Sequence, residues 1–267
     1  MGILTQVDVR VIAKDGKYLG DDIGGALVTI HDVQTGELLA RGTTAGGSGE
    51  ADLMDICLKR SEVLPVDGAS VFTATLDLDQ AKRIRVTAYG PLGAELSANT
   101  VSVTQWVYPG RSITGGAQGG GFLLEIPGLV VQLLNPPTHY LPQTAPEQIE
   151  IRANVTMICG CPIGEGHPPW HPAQFEVMAL IKQGEYGALE VPLQYDADAP
   201  YGAPSQFTGK WRVPFNTSGQ PEIYEIVVSG FQRKTGNTGV DRATVIIPAL
   251  ASTSTPSKSE ADQNKPA

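Results

Sequence analysis

Residues 149–157 read IEIRANVTM, and their alternation decides the fold class. Ile149, Ile151, Ala153, Val155 and Met157 are apolar, while Glu150, Arg152, Asn154 and Thr156 between them are polar. A two-residue period belongs to a strand with one face buried and one face wet. Carried past Met157, the same parity puts Cys159 and Cys161 on the buried face, and Gly160 and Pro162 mark where regular pairing ends. Both thiols are then expected at the rim of a sandwich core, on one side of it.

Outward from this stretch the chain keeps the same habit. Its 267 residues include 31 glycines and 20 prolines, and its 41% apolar content is spread in short Val, Ile and Leu runs between turn residues. That is the pattern of an all-β chain with many loops. Only residues 55–63 and 78–84 read as short helix candidates. The length fits two domains of roughly 100 to 130 residues each. The expected division is a sandwich over 1–108, a Gly-rich linker over 109–121, a second sandwich over 122–249 and a disordered tail over 250–267. The boundary segment YPGRSITGGAQGGG, 108–121, has six glycines among its 14 residues. It carries no G-x-x-x-x-G-K-[ST] pattern and no helix follows it, so it is no phosphate-cradling loop. The tail, LASTSTPSKSEADQNKPA, has no apolar period.

In the first half Val7, Val9 and Val11 alternate with Asp8 and Arg10 up to an Asp15-Gly16 turn. Residues 24–49, GGALVTIHDVQTGELLARGTTAGGSG, form a hairpin about Thr35-Gly36. Further strands fall at 71–76, 83–89 and 100–107. Residues 25–49 resemble the carboxypeptidase-regulatory-like and transthyretin-like sandwich modules, whose first half runs G-A-x-V-x-I-x-D, then T-G, then Thr and a Gly-rich turn. By extension the resemblance reaches 5–107. It implies a folding, attachment or assembly module without catalytic residues of its own. His31 and Cys57 are read as packing residues.

The second half opens with 122–134, broken at Pro127-Gly128. Strands follow the IEIRANVTM segment at 175–181, 189–195 and 207–215, and a hairpin runs 224–231, turns through 234–239 and returns over 243–247. Residues 207–248 are similar to the last strands of immunoglobulin-like and fibronectin-like modules of bacterial surface and periplasmic proteins. That resemblance implies a role for Tyr224 as a tyrosine corner, although the disulfide and buried-Trp pattern of antibody domains is absent.

A net charge of −9 and a pI near 4.9 leave no basic patch to release counterions, which argues against nucleic acid. No apolar run approaches the roughly 18 to 20 residues that span a bilayer. The N-terminus, MGILTQVDVRVIAKDG, reads as a strand and not as a signal peptide. Three cysteines, an odd number, make no secreted disulfide framework. Asn154-Val155-Thr156 and Asn216-Thr217-Ser218 match glycosylation acceptors, a tripeptide common by chance.

Chemistry concentrates in 157–172, MICGCPIGEGHPPWHP, which holds two of the three cysteines, two of the four histidines and one of the three tryptophans. Cys159, Cys161, His167 and His171 are the candidate ligands for Zn or Cu(I). Against that stand reduced core thiols under a Pro-stiffened loop, which need no ion. A disulfide is the third alternative, strained if the strand stays extended, because Cα atoms two residues apart then lie about 6.5 to 7 Å apart. A Cys–His nucleophile oriented by Glu165 or Glu176 lacks any nucleophile-elbow or papain-type context. Trp170 with His171 reads either as an aromatic partner anchor on a stiff loop or, for Trp170, as a core residue closing the sandwich.

The expectation is a non-enzymatic structural, assembly or ligand-presenting protein with no cofactor. It would act through a protein partner or self-assembly, and outside the cytoplasm, at the periplasm or cell surface. The alternative is a Cu- or Zn-binding protein built on the cysteine stretch.

Overall fold

The two-residue alternation of IEIRANVTM recurs along the chain and yields fifteen strands among the described residues. The computed structural model describes residues 2–49, 64, 66–115, 120–166, 169–199 and 203–249. The helix candidate at 55–63, Cys57, His167 and the tail at 250–267 lie outside them.

The first seven strands are β1 (Ile3–Ala13), β2 (Leu27–Asp32), β3 (Leu38–Thr43), β4 (Phe72–Leu78), β5 (Lys82–Gly90), β6 (Asn99–Val107) and β7 (Phe122–Ile126). They form two sheets, ordered β4-β1-β7 and β3-β2-β5-β6. Between them lie Val7, Val9 and Val11 from one sheet and Val28, Ile30, Ile84 and Val86 from the other, all buried. The expected turn at Thr35-Gly36 is set by Asp32, whose carboxylate accepts from the N–H groups of Gln34 and Thr35. The Gln34 bond first, then that of Lys82, with a smaller part from Thr35, hold the Asp32 carboxyl below its ordinary value.

Two expectations are corrected here. Residues 78–84 are not helical: β4 ends at Leu78, β5 begins at Lys82, and the residues between carry the chain from one sheet to the other. Leu76, Leu78, Ile84 and Val86 all point inward at strand spacing, and burying that stripe outweighs local helix preference. Residues 122–126, expected to open the second half, pair in parallel with Val9–Ala13 of β1. They alternate buried and exposed along FLLEI, and β1 offers them a free edge opposite β4.

The remaining strands are β8 (Leu129–Asn135), β9 (His139–Tyr140), β10 (Gln148–Met157), β11 (Phe175–Gln183), β12 (Tyr186–Tyr195), β13 (Gln206–Arg212), β14 (Glu222–Gln232) and β15 (Thr238–Ile247). They run in the order β8-β10-β13-β12-β11-β14-β15-β9. The link between β13 and β12 is only the pairs Gln194↔Thr208 and Tyr195↔Phe207, a corner where one sheet passes into the other. β8, β10 and β13 therefore form one layer and β12, β11, β14, β15 and β9 the other, an immunoglobulin-like arrangement. β8 lies over β14 and β15, where the paired Gly230 and Gly239 clear space for Leu129 and Val131. Most buried apolar side chains of both halves form one connected cluster, with Ile12, Tyr18 and Ala69 in a smaller one.

Candidate functional site

β10 ends at Met157, and the chain then turns instead of running on extended. Gly160 N–H donates to Met157 O at 2.8 Å, Met157 N–H donates to Cys161 O at 3.0 Å, and Thr156 bridges to Pro162. Gly160 sits at φ +81°, a conformation a side chain disfavours. The turn brings Cys159 Sγ and Cys161 Sγ to 2.8 Å, both as free thiols. The extended-strand spacing assumed from the sequence does not apply, because the peptide between the cysteines is folded back. Cys159 is fully buried and Cys161 half-buried. Burial raises the Cys159 thiol, but its hydrogen bond with Cys161 and the N–H of Lys17 outweigh it and leave Cys159 below the ordinary thiol value. The same sulfur–sulfur bond, then burial, push Cys161 up.

What packs on this turn comes from the other sandwich. The hairpin tip after β1 carries Asp15 at φ +59°, then Gly16 and Lys17. Lys17 N–H points at Cys159 Sγ at 3.5 Å, and a Cβ on Gly16 would stand 3.1 Å from that sulfur. Trp170 is 2% exposed and its Nε1–H donates to Asp15 O at 2.8 Å. The tryptophan weighed as a partner anchor thus lies inside the molecule and closes the space between the halves.

The β14–β15 turn completes the joint. Gln232 Nε2 donates to Asp15 Oδ2 at 2.7 Å, and Lys14 Nζ donates to Thr235 O at 2.8 Å. Asn237, wholly buried, donates through Nδ2 to Lys14 O at 3.0 Å and accepts at Oδ1 from Gly128 N–H at 3.0 Å. One amide therefore ties β1, the β7–β8 turn and the final hairpin together. Sequence reading saw Asn237 only as a turn residue, and nothing local announces a partner 223 positions away.

The other candidates are placed as follows. His171 is exposed and its Nδ1 accepts from Ala173 N–H at 3.2 Å, capping the short 3₁₀ turn at Pro172–Gln174. Among the described residues no group of three or more His, Cys, Asp or Glu side chains converges as a metal site. Glu176, considered for orienting a histidine, pairs instead with Arg233. Tyr224 makes no backbone corner bond: its hydroxyl donates to Glu222 Oε2 at 2.8 Å while its ring meets Trp211 edge-on at 5.0 Å. Burial first and the Glu222 bond second raise its hydroxyl to about 12. His31 lies half-buried on β2. Asn216 is 1% exposed, its amide spent on Gln220 O, so it is shielded from glycosylation in the folded chain.

The strand order defines the class, an all-β protein of two immunoglobulin-like sandwiches in tandem. No family model and no curated protein matches the chain. Among solved structures it is similar to BcpA, the major pilin subunit of Bacillus cereus, at 10% identity over 92% of this chain and 69% of that one, with a TM-score of 0.32. A variant of the same pilin matches at 9% identity over the same shares, with a TM-score of 0.30. The full-length major pilin SpaD from Corynebacterium diphtheriae matches at 12% identity over 90% of this chain and 65% of that one, with a TM-score of 0.22. The class rests on the strands and their order. Among the described residues no helix is long and apolar enough to cross a membrane.

Proposed function

We propose that this chain is a non-enzymatic structural protein that works by assembly outside the cytoplasm, with copies of itself joining through the open edge of β6. The observation that carries this is the state of Asn99–Val107. β6 hydrogen-bonds to β5 on one side and, among the described strands, to none on the other. Its sequence, NTVSVTQWV, has no charge and no proline, and Val103 is 39% and Trp106 48% exposed. Edge strands are ordinarily blunted by lysine, proline or a bulge, because a bare edge is a template for another strand. An uncharged edge that spans nine residues suits addition of a strand from a second chain.

Sedimentation velocity over a concentration series tests the proposal, with Val103→Lys as the variant. Wild type is expected to shift to larger species as concentration rises, and the variant to stay monomeric with an unchanged melting temperature. A wild-type chain that is monomeric throughout, or a variant that assembles as well as wild type, would sink it.

A further inference from the structure

The 2.8 Å pair of Cys159 and Cys161 has a chemistry that neither packing nor assembly uses. Two thiolates on one zinc, at about 2.3 Å each in tetrahedral geometry, stand roughly 3.8 Å apart. Two sulfurs in a disulfide stand about 2.05 Å apart. The observed pair lies between these values, so closing to a bond is the shorter movement, whereas taking up an ion requires the sulfurs to part. Because Gly160 has folded the chain back, both sulfurs already lie on the same side of the turn. Cys161 is the reachable member and Cys159 the enclosed one.

We propose that Cys159 and Cys161 form a reversible dithiol–disulfide pair, set in the joint between the sandwiches and oxidised by low-molecular-weight disulfides of the glutathione class. Cys161, the reachable sulfur, passes its proton to the adjacent Cys159 sulfur as it attacks one sulfur of the small disulfide, whose S–S bond breaks and releases one small thiolate. Cys159, giving up its proton, then attacks the Cys161 sulfur of the mixed disulfide and expels the second small thiolate. The two protons of the dithiol, that of Cys159 by way of solvent, end on the two released thiols, and the small disulfide takes the two electrons. The ring so closed contains only three residues and restrains little of the unfolded chain, so its effect is local. It fixes the turn on which Gly16 and Lys17 sit, and it removes the thiol character of the sulfur that accepts from Lys17 N–H.

The test equilibrates the full chain carrying Cys57→Ser with reduced and oxidised glutathione at a series of ratios, followed by acid quench, alkylation, intact mass and peptide mapping. Expected is the loss of both alkylatable thiols together and a mass lower by about 2 Da. One internally linked peptide should span 159–161, with full recovery by dithiothreitol. The Lys17 amide should exchange faster with deuterium in the oxidised form. Four outcomes overturn the proposal: both thiols alkylatable at every ratio, oxidation that stops at a glutathione adduct on Cys161, a link between two chains, or zinc alone protecting both thiols in the reduced protein. If the serine variant does not fold, peptide mapping of the wild-type chain reads the same bond.

Discussion

Trp170 does its work through one nitrogen and one ring. Replacing it with Phe keeps most of the ring and removes the bond to Asp15 O, which should cost about 1 kcal/mol. Replacing it with Ala should cost about 3 to 5 kcal/mol in urea unfolding. If both variants stayed within error of wild type, Trp170 would not be holding the halves together. Tyr224 gives a pH signature. Its hydroxyl is raised from an ordinary 10.0 to about 12, so folding favours the protonated phenol. The sign follows from linkage: the contribution is complete below pH 10 and is lost as pH climbs from 10 to about 12. Stability of Tyr224→Phe should lack that decline, and phenolate absorbance should show one fewer late-titrating tyrosine than wild type, the buried Tyr18 being raised in both. At this scale the sequence was legible wherever parity applied: Ile149, Ile151, Ala153 and Val155 are buried as the alternation requires. It was illegible in the Pro-rich loop, which has no period to say whether Trp170 points in or out. The thiols illustrate both cases, since their common side was foreseen from parity but is produced by a turn at Gly160.

The final hairpin shows what elements demand of single positions. Gly230 and Gly239 face each other across β14 and β15, beneath β8. A Cβ on Gly239 would overlap the Leu129 carbonyl oxygen, which is backbone and cannot rotate away, whereas a Cβ on Gly230 would meet side-chain atoms at 3.3 Å or more. Gly239→Ala should therefore destabilise by about 1 to 3 kcal/mol, and Gly230→Ala by less. Equal melting temperatures for the two variants would mean that β8 does not press on this pair. Strands as elements were well foreshadowed, because alternation and turn residues are local signals. Partners were not. β7 reads like any short apolar strand, and nothing within FLLEI says that its neighbour is β1, more than a hundred residues earlier, and not the strand that follows it.

At the scale of the whole molecule, the stretch densest in reactive side chains proves to be a joint. The turn at 157–161, Trp170, the tip at 14–17 and the turn at 232–237 interlock through hydrogen bonds that cross from one sandwich to the other. The Gly-rich segment had suggested two separable domains. With β7 in the first sheet, a fragment ending at residue 115 lacks a strand, and one ending at 128 keeps it. Of the two, only the longer fragment should show a cooperative melt when made alone, and folding of the 1–115 piece would show that β7 is dispensable. Because the apolar core is continuous through the joint, the two sandwiches should also lose structure together in the full chain. Differential scanning calorimetry of the full chain tests this most directly. A single heat-absorption peak whose calorimetric and van't Hoff enthalpies agree is the expected result. Two resolved peaks, with the first unaffected by Trp170→Ala or Asn237→Ala, would contradict it.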